Sequence, residues 1–312
     1  MTENPTAVPI ALAPKSSDLL VRAITNSGGR ITDLSTARAL IWDGGPNNFP
    51  ELPESMEWVQ LFSAGVEDFF ADGLFDRYPR TVFTSAAGAF AESVAEHAVM
   101  LLLAGVRYLP EHVRARTWRQ QRFFPHIGTL RGSTVAVIGA GGIGREVITM
   151  LEPFGVEVIA VNRSGAPVRF PSVTETVPAA RLREVWPRTD HVVLAAPATT
   201  GTHHLLGKNE LVQLRPHSWV VNIARGPLID TDALVAALRN NVIGGAALDV
   251  TDPEPLPDSH PLWALPNVII TPHDSNPPQL RTAAFARHVA ENITRFAAGR
   301  TLLARIDPTA GY

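Results

Sequence analysis

Val135-Ala136-Val137-Ile138-Gly139-Ala140-Gly141-Gly142-Ile143-Gly144 decides how this chain is read. Apolar strand-forming residues run into a glycine turn, and the turn runs into a helical stretch from Ile143 to Phe154. Strand, G-x-G-x-x-G and helix in that order form the dinucleotide-binding fingerprint, far more specific than a bare glycine pattern. Gly139 permits the tight turn, Gly141 lets the backbone approach a pyrophosphate, and Gly144 lets the helix pack close to the sheet. The helix N-terminus at Gly142 and Ile143 offers N–H groups to phosphate oxygens. The competing reading is an ordinary βα turn without a ligand.

Outward from this motif, the following strand ends at Asn162-Arg163-Ser164, 18 residues beyond Gly144. An NAD site usually places a carboxylate there, on the ribose 2′-hydroxyl. Asn162 is neutral, whereas Arg163 can grip a 2′-phosphate bidentately and Ser164 can add a hydroxyl. NADP(H) is therefore the preferred cofactor expected, with NAD(H) the alternative if Asn162 bonds a plain ribose and Arg163 stacks on adenine or faces solvent.

Further apolar runs at Val156–Val161, His191–Ala196, Trp219–Ile223, Ala246–Val250 and Val268–Ile270 alternate with helical stretches at Glu210–Leu214 and Thr231–Arg239. That alternation predicts a doubly wound parallel sheet. Upstream, Val8–Leu12, Ala39–Trp42, Trp58–Phe62 and Thr81–Thr84 read as strands of a smaller α/β layer, with Gly28-Gly29, Gly44-Gly45-Pro46 and Gly65 as punctuation. Ala91–Leu109 reads as one long helix, apolar on more than one face and so buried deeply or against a second subunit. After Pro277-Pro278 the chain turns helical to about Gly299, and Leu302–Tyr312 is a candidate strand. At 312 residues two domains are expected: residues 1–92 with 276–312 as a discontinuous substrate domain, and 93–275 as the dinucleotide-binding domain.

Composition narrows the function classes. Hydrophobic residues make up 45% and charged residues 18%, with a formal net charge of −3. Nothing there suits nucleic acid or an anionic membrane. The absence of cysteine excludes disulfides and thiolate metal sites, and no metal is expected. The first residues are broken by Pro5, Pro9 and Pro14 and do not read as a signal peptide. No apolar run approaches about 18 residues, so no membrane span is expected. A cytoplasmic protein is the expectation.

Three segments follow the later strands, where open α/β sheets bind ligands: Val221-Asn-Ile-Ala-Arg225-Gly226, Asp249-Val-Thr-Asp-Pro-Glu254-Pro, and Thr271-Pro-His273. A carboxylate substrate needs a positive fork, which Arg225 supplies. A ketone becoming an alcohol needs a proton donor, and histidine is the usual choice near neutral pH. A carboxylate beside the ring, Glu254, would orient it. Each residue alone has a bland reading as surface charge, loop or turn; their joint placement beside a dinucleotide fold gives them weight.

With spacings of 29 residues from Arg225 to Glu254 and 19 from Glu254 to His273, the chain resembles the D-isomer-specific 2-hydroxyacid dehydrogenases, which include glyoxylate/hydroxypyruvate reductases and phosphoglycerate dehydrogenase. Ser93-Val94-Ala-Glu96-His97 resembles the family's dimerisation and hinge segment, Ser63-Ala-Gly65-Val66-Glu67 its carboxylate-holding loop, and Gly311-Tyr312 its terminus. The resemblance implies a flavodoxin-like substrate domain beside a Rossmann domain. It implies hydride transfer between a nicotinamide and a small 2-oxo or 2-hydroxy acid, with His273 as acid and base, Glu254 its partner, and Arg225 on the carboxylate and carbonyl. Gly65 and Val66 N–H groups would hold the carboxylate and Asp249 the nicotinamide carboxamide, while Pro197 and Ile223 would line the cofactor cleft. A homodimer is implied, with Trp118 either reaching toward the partner or packing in the core. Two features depart from the family pattern: Asn162, and Asp274, a second carboxylate expected beside the catalytic ring. A formate dehydrogenase would carry glutamine at Glu254, and a methyltransferase would have no use for the three polar residues. A dinucleotide-sensing corepressor on the same fold is the alternative of a different class.

Overall fold

The computed structural model describes residues 7–309, so the expected match at Gly311-Tyr312 lies outside the described residues. The chain divides into two compact units, Met1–Phe90 with Pro277–Tyr312, and Ala91–Asn276.

The first unit is built on five parallel strands: β1 (Val8–Ala13), β2 (Gly29–Ile31), β3 (Ala39–Trp42), β4 (Trp58–Leu61) and β5 (Val82–Thr84). Their order, β2-β1-β3-β4-β5, is the flavodoxin-like doubly wound arrangement. Strands β3 and β4 are buried along their whole length, which is why they read as unbroken apolar runs rather than alternating ones. Leu40, Val59, Leu61, Phe69, Leu74 and Phe83 pack into one core. The helix Pro278–Ala297, from the far end of the chain, returns to this unit through a buried polar knot. Asn292 Nδ2 donates to Gln60 Oε1 at 2.8 Å, Thr84 Oγ1 donates to the same oxygen at 2.9 Å, and Asn292 Oδ1 accepts from Leu303 N at 2.7 Å. All three side chains are fully buried; satisfying them together fixes one docking register, because an unmade bond there would leave a desolvated polar group.

The second unit holds seven parallel strands: β6 (Thr134–Ile138), β7 (Glu157–Asn162), β8 (Val173–Pro178), β9 (His191–Leu194), β10 (Trp219–Asn222), β11 (Gly245–Leu248) and β12 (Val268–Ile270). Their order is β12-β11-β10-β9-β6-β7-β8. The chain direction across the sheet reverses between β6 and β9, the switch point at which such sheets bind ligands beyond the strand carboxyl ends. The helices Ala91–Val106 and Gly142–Leu151 pack on one another.

Several boundaries differ from the sequence pattern. The helix predicted over Ala91–Leu109 stops at Val106; Tyr108 adopts a left-handed φ of 59°, and a separate helix, Leu109–Arg114, begins with Pro110 in its first turn, where proline's missing N–H costs nothing. The edge strands β2 and β8 carry no strong pattern of their own. Gly29 opens β2, where Gly28-Gly29 reads as punctuation, and β8 is polar and half-exposed. The tail forms a single antiparallel bridge, Thr84 to Arg305, with bonds from Ser85 N to Ala304 O and Ile306 N to Phe83 O, both 2.9 Å. No helix among the described residues is long and apolar enough to cross a membrane.

Candidate active site

The glycine loop has the geometry its sequence demands. Gly139 has φ +101°, and a Cβ there would stand 2.5 Å from Ala196 N on the adjacent β9 segment; an L side chain fits neither condition. Gly144 is buried against the Gly139 carbonyl. Gly141 caps the helix without any side-chain bond, and a Cβ on it would meet nothing within 4 Å. Gly141 and Gly142 are exposed at the start of a ten-residue helix, which leaves its first N–H groups for an anion. These residues therefore fit a dinucleotide pyrophosphate. Beyond β9 and β10 a cavity of about 430 Å³ opens, lined by Ala198, Thr199, Thr200, His203, Pro227 and Leu228. Pro197 is exposed at its approach, and Ile223 is buried at the end of β10.

At the end of β7, Asn162 is consumed by its own turn. Its Nδ2 donates to Ala166 O at 2.8 Å and its Oδ1 accepts from Gly165 N at 2.7 Å. Ser164 Oγ accepts from Ala166 N at 3.2 Å. Arg163 and Ser164 are exposed on this turn.

Three loops at the carboxyl ends of β10, β11 and β12 carry the polar residues. Asn222, buried at the end of β10, shapes the first: its Oδ1 accepts from Ala224 N at 3.1 Å and its Nδ2 donates to Arg225 O at 2.9 Å. The Arg225 Nη1 donates to Ala224 O at 2.7 Å. Gly226 lies so close to the Thr251 carbonyl that any Cβ would overlap it, so the Arg225 loop and the loop leading to Glu254 close against each other. The structure brings Glu254 and His273 together directly, Nδ1 to Oε1 at 2.6 Å. Both side chains remain about half exposed, His273 at 48% and Glu254 at 42%.

His273 sits in a left-handed conformation, φ 53°, rare for a residue with a Cβ. Its N–H donates to Asp249 O at 2.8 Å and Thr271 O at 2.9 Å. The Asp249 carboxylate, 2% exposed, anchors the rest of the turn: Oδ1 accepts from Thr271 Oγ1 at 2.6 Å and from Asp274 N at 3.1 Å, and Oδ2 from Ser275 N at 3.4 Å. From the helix Ala91–Val106, His97 Nε2 meets Thr271 Oγ1 at 2.9 Å and Ser93 Oγ donates to Ser275 O at 2.5 Å. Asp249 is thus an internal brace beneath His273. The Asp274 carboxylate, expected beside the catalytic ring, has an oxygen within 4.8 Å of a ring nitrogen of His97 and of a carboxylate oxygen of Asp249.

In the first unit, Gly65 and Val66 occupy the turn after β4. Ser63 Oγ donates to Gly65 O at 2.5 Å, and Ser63 O accepts from Ala86 N at 2.8 Å. Among the described residues the N–H groups of Gly65 and Val66 make no hydrogen bond.

Residues 97–275, more than half of the chain, match the family described as D-isomer specific 2-hydroxyacid dehydrogenase, NAD binding domain. The chain belongs to this family. It is 39% identical over 297 residues to an uncharacterized protein in the proB 3′ region of Corynebacterium melassecola, covering 93% of this chain and 95% of that one. It is 34% identical over 227 residues to a glyoxylate reductase of Aeropyrum pernix, covering 70% and 67%. Its fold resembles the D-isomer specific 2-hydroxyacid dehydrogenase of Xanthobacter autotrophicus solved with NADPH and MES, at a TM-score of 0.79 and 26% identity over 98% of this chain and 100% of that one. This 2-hydroxyacid dehydrogenase is accordingly an NAD(P)-dependent oxidoreductase.

Sequence reasoning names Glu254 and His273, which the structure of this dehydrogenase brings together, but gives no bracing role to Ser93, His97, Asp249 or Thr271. Ser93, His97 and Thr271 carry no local pattern that ties them to His273; the pairs are up to 182 residues apart. The Thr199–His203 wall of the cavity had one usable signal, a hydroxyl-rich turn directly after a buried strand.

Proposed function

We propose that this dehydrogenase reduces a small 2-oxo acid to the D-2-hydroxy acid, and the reverse, using NADP(H) in preference to NAD(H). The observation that carries the reading is the 2.6 Å bond between His273 Nδ1 and Glu254 Oε1, on loops at the carboxyl ends of β11 and β12. A nicotinamide dinucleotide would be held by Gly139–Gly144, Arg163 and Ser164, and would supply the hydride in reduction and accept it in oxidation. His273, with Nδ1–H engaged by Glu254, presents Nε2 to substrate. In reduction Nε2 gives its proton to the carbonyl oxygen as the carbonyl carbon gains the hydride; in oxidation it takes the hydroxyl proton as that carbon loses one. Arg225 binds the substrate carboxylate and polarises the carbonyl, and Gly65 and Val66 N–H groups hold the carboxylate. Asp249 braces the turn that carries His273 and, as the resemblance implies, would also hold the nicotinamide carboxamide.

The NADP(H) preference is supported by the Asn162 turn, whose amide is spent within residues 162–166 and which presents a cation and a hydroxyl where a ribose-binding carboxylate would stand. A homodimer is supported by the exposed apolar side chains of Met100, Leu109, Val113, Trp118 and Phe124, clustered on the helix Ala91–Val106 and the segment after it; Trp118, 89% exposed, takes no part in the core of its own chain.

His273→Ala tests the assignment. Loss of a general acid is worth about 10²–10⁴-fold, so turnover of glyoxylate and hydroxypyruvate should fall by that factor while NADPH affinity, read by fluorescence, stays within about threefold. Near-normal turnover would sink the assignment. Tight NADPH binding by the wild-type protein with no 2-oxo acid reduced would favour the dinucleotide-sensing reading. A tenfold or greater preference for NADH would show that Arg163 reads no phosphate.

A further inference from the structure

The helix Pro278–Ala297 carries a cation without a counter-charge among the described residues. The Arg281 guanidinium carbon lies 4.8 Å from the Phe62 ring centroid and 6.0 Å from that of Phe90. Phe62 is itself held by Phe285, edge-on at 4.5 Å. Arg281 Nε is buried with no hydrogen-bond partner, and no carboxylate among the described residues stands within ion-pair distance. Ring faces attract the charge but leave the buried Nε–H unsatisfied. A guanidinium cannot shed its proton to escape that cost. A planar fork stacked on aromatic rings is well prepared to take a carboxylate or phosphate.

Its position gives this stacked cation a meaning. Phe62 runs directly into Ser63-Ala64-Gly65-Val66, the turn whose two unpaired N–H groups are assigned above to the substrate carboxylate. Even fully extended, the three Cα–Cα steps from Phe62 to Gly65 span no more than about 11 Å, and the turn is closed by the Ser63 bonds. One short segment therefore carries an anion-accepting turn and, stacked on its first residue, a second anion-accepting fork. We propose that Arg281 binds a second anionic group of the substrate, so that the preferred substrates are 2-oxo acids bearing a further carboxylate or a phosphate rather than glyoxylate or hydroxypyruvate. This rests on the assignment of Gly65 and Val66 to a 2-oxo acid carboxylate.

The test compares wild type, Arg281→Gln and Arg281→Lys on glyoxylate, hydroxypyruvate, oxaloacetate, 2-oxoglutarate and 3-phosphohydroxypyruvate, each with NADPH. In wild type at least one of the last three should exceed glyoxylate by about tenfold in kcat/KM; which one distinguishes carboxylate from phosphate. Arg281→Gln should cost that substrate about 10–100-fold, chiefly in KM, while changing glyoxylate by less than about threefold, the pattern of a lost binding contact. Arg281→Lys should recover part of the loss, since it restores charge without the fork. If the Gln variant fails to fold, the Lys variant carries the comparison, with a loss again confined to the second-anion substrate. Equal losses on glyoxylate and the diacids, or no second-anion preference in wild type, would overturn the proposal and leave Arg281 a packing residue. Absence of turnover on every acid, glyoxylate included, would instead remove the 2-oxo acid reading beneath it.

Discussion

Glu254→Gln isolates what the carboxylate contributes to His273. The side chains meet through one bond, Nδ1 to Oε1 at 2.6 Å, and both are about half exposed. A hydrogen bond to a charged group is worth about 1.5–3 kcal/mol, and solvent screening places this pair near the bottom of that range. About 1.5–2 kcal/mol corresponds to roughly a 10–30-fold change in rate. Under the proposed mechanism the loss should fall on kcat for hydroxy-acid oxidation, in which His273 would take the proton and the glutamate charge would stabilise the imidazolium. The remaining contact of Glu254, Oε2 from Thr251 N at 3.4 Å, is long, so thermal stability should move little. Steady-state rates in both directions with NADP⁺ and NADPH, together with cofactor Kd by fluorescence, give the comparison. An oxidative kcat within twofold of wild type would refute the partnership, and so would a loss that resides wholly in cofactor affinity.

Two further outcomes follow from the buried polar groups. Thr271→Val deletes the donor to Asp249 Oδ1 and the contact with His97; urea unfolding should show a loss of about 1–3 kcal/mol, and kcat should fall with KM for NADPH unchanged, whereas unaltered stability would mean that Asp249 does not depend on this hydroxyl. His191, 4% exposed, is pushed down to about 4, first by burial and against the pull of Asp190. The unfolded chain takes up its proton near 6.5, so this contribution to stability is complete above that pH and is lost as pH falls toward 4, by up to about 3 kcal/mol; His191→Gln should flatten the measured slope over that window, and an unchanged slope would show that another group titrates there.

How much of this was legible in the sequence follows from where the physical constraint resides. The Gly139 turn was readable because its requirement is local: a positive φ and a backbone approach that admit only glycine. Strands β6, β9 and β10 were readable because burial on both faces leaves an unbroken apolar run. The edge strands β2 and β8 lack that constraint, being short or half exposed. The break at Tyr108 escaped because a tyrosine holds the left-handed position where glycine or asparagine would have signalled it.

The candidate site divides along the same line, and that division bears on how its variants behave. His273, Glu254 and Arg225 could be named because each is of a type that the proposed reaction would require. The left-handed backbone at His273 could not, because its N–H is held by Asp249 O from 24 residues upstream, and the flanking Thr271 and Ser275 are held by His97 and Ser93 from a helix more than 170 residues upstream. Asp249 drew a cofactor-binding expectation from the family resemblance; its burial and its three donors, which no local pattern announces, add a bracing role. Asp274 drew a place beside the ring from adjacency, and its grouping with His97 and Asp249 carries no signal in the local sequence. Substitutions at the brace should therefore alter where the imidazole points while leaving its chemistry intact. That produces partial losses in kcat at unchanged cofactor affinity, in contrast to the near-complete loss expected when the ring itself is removed.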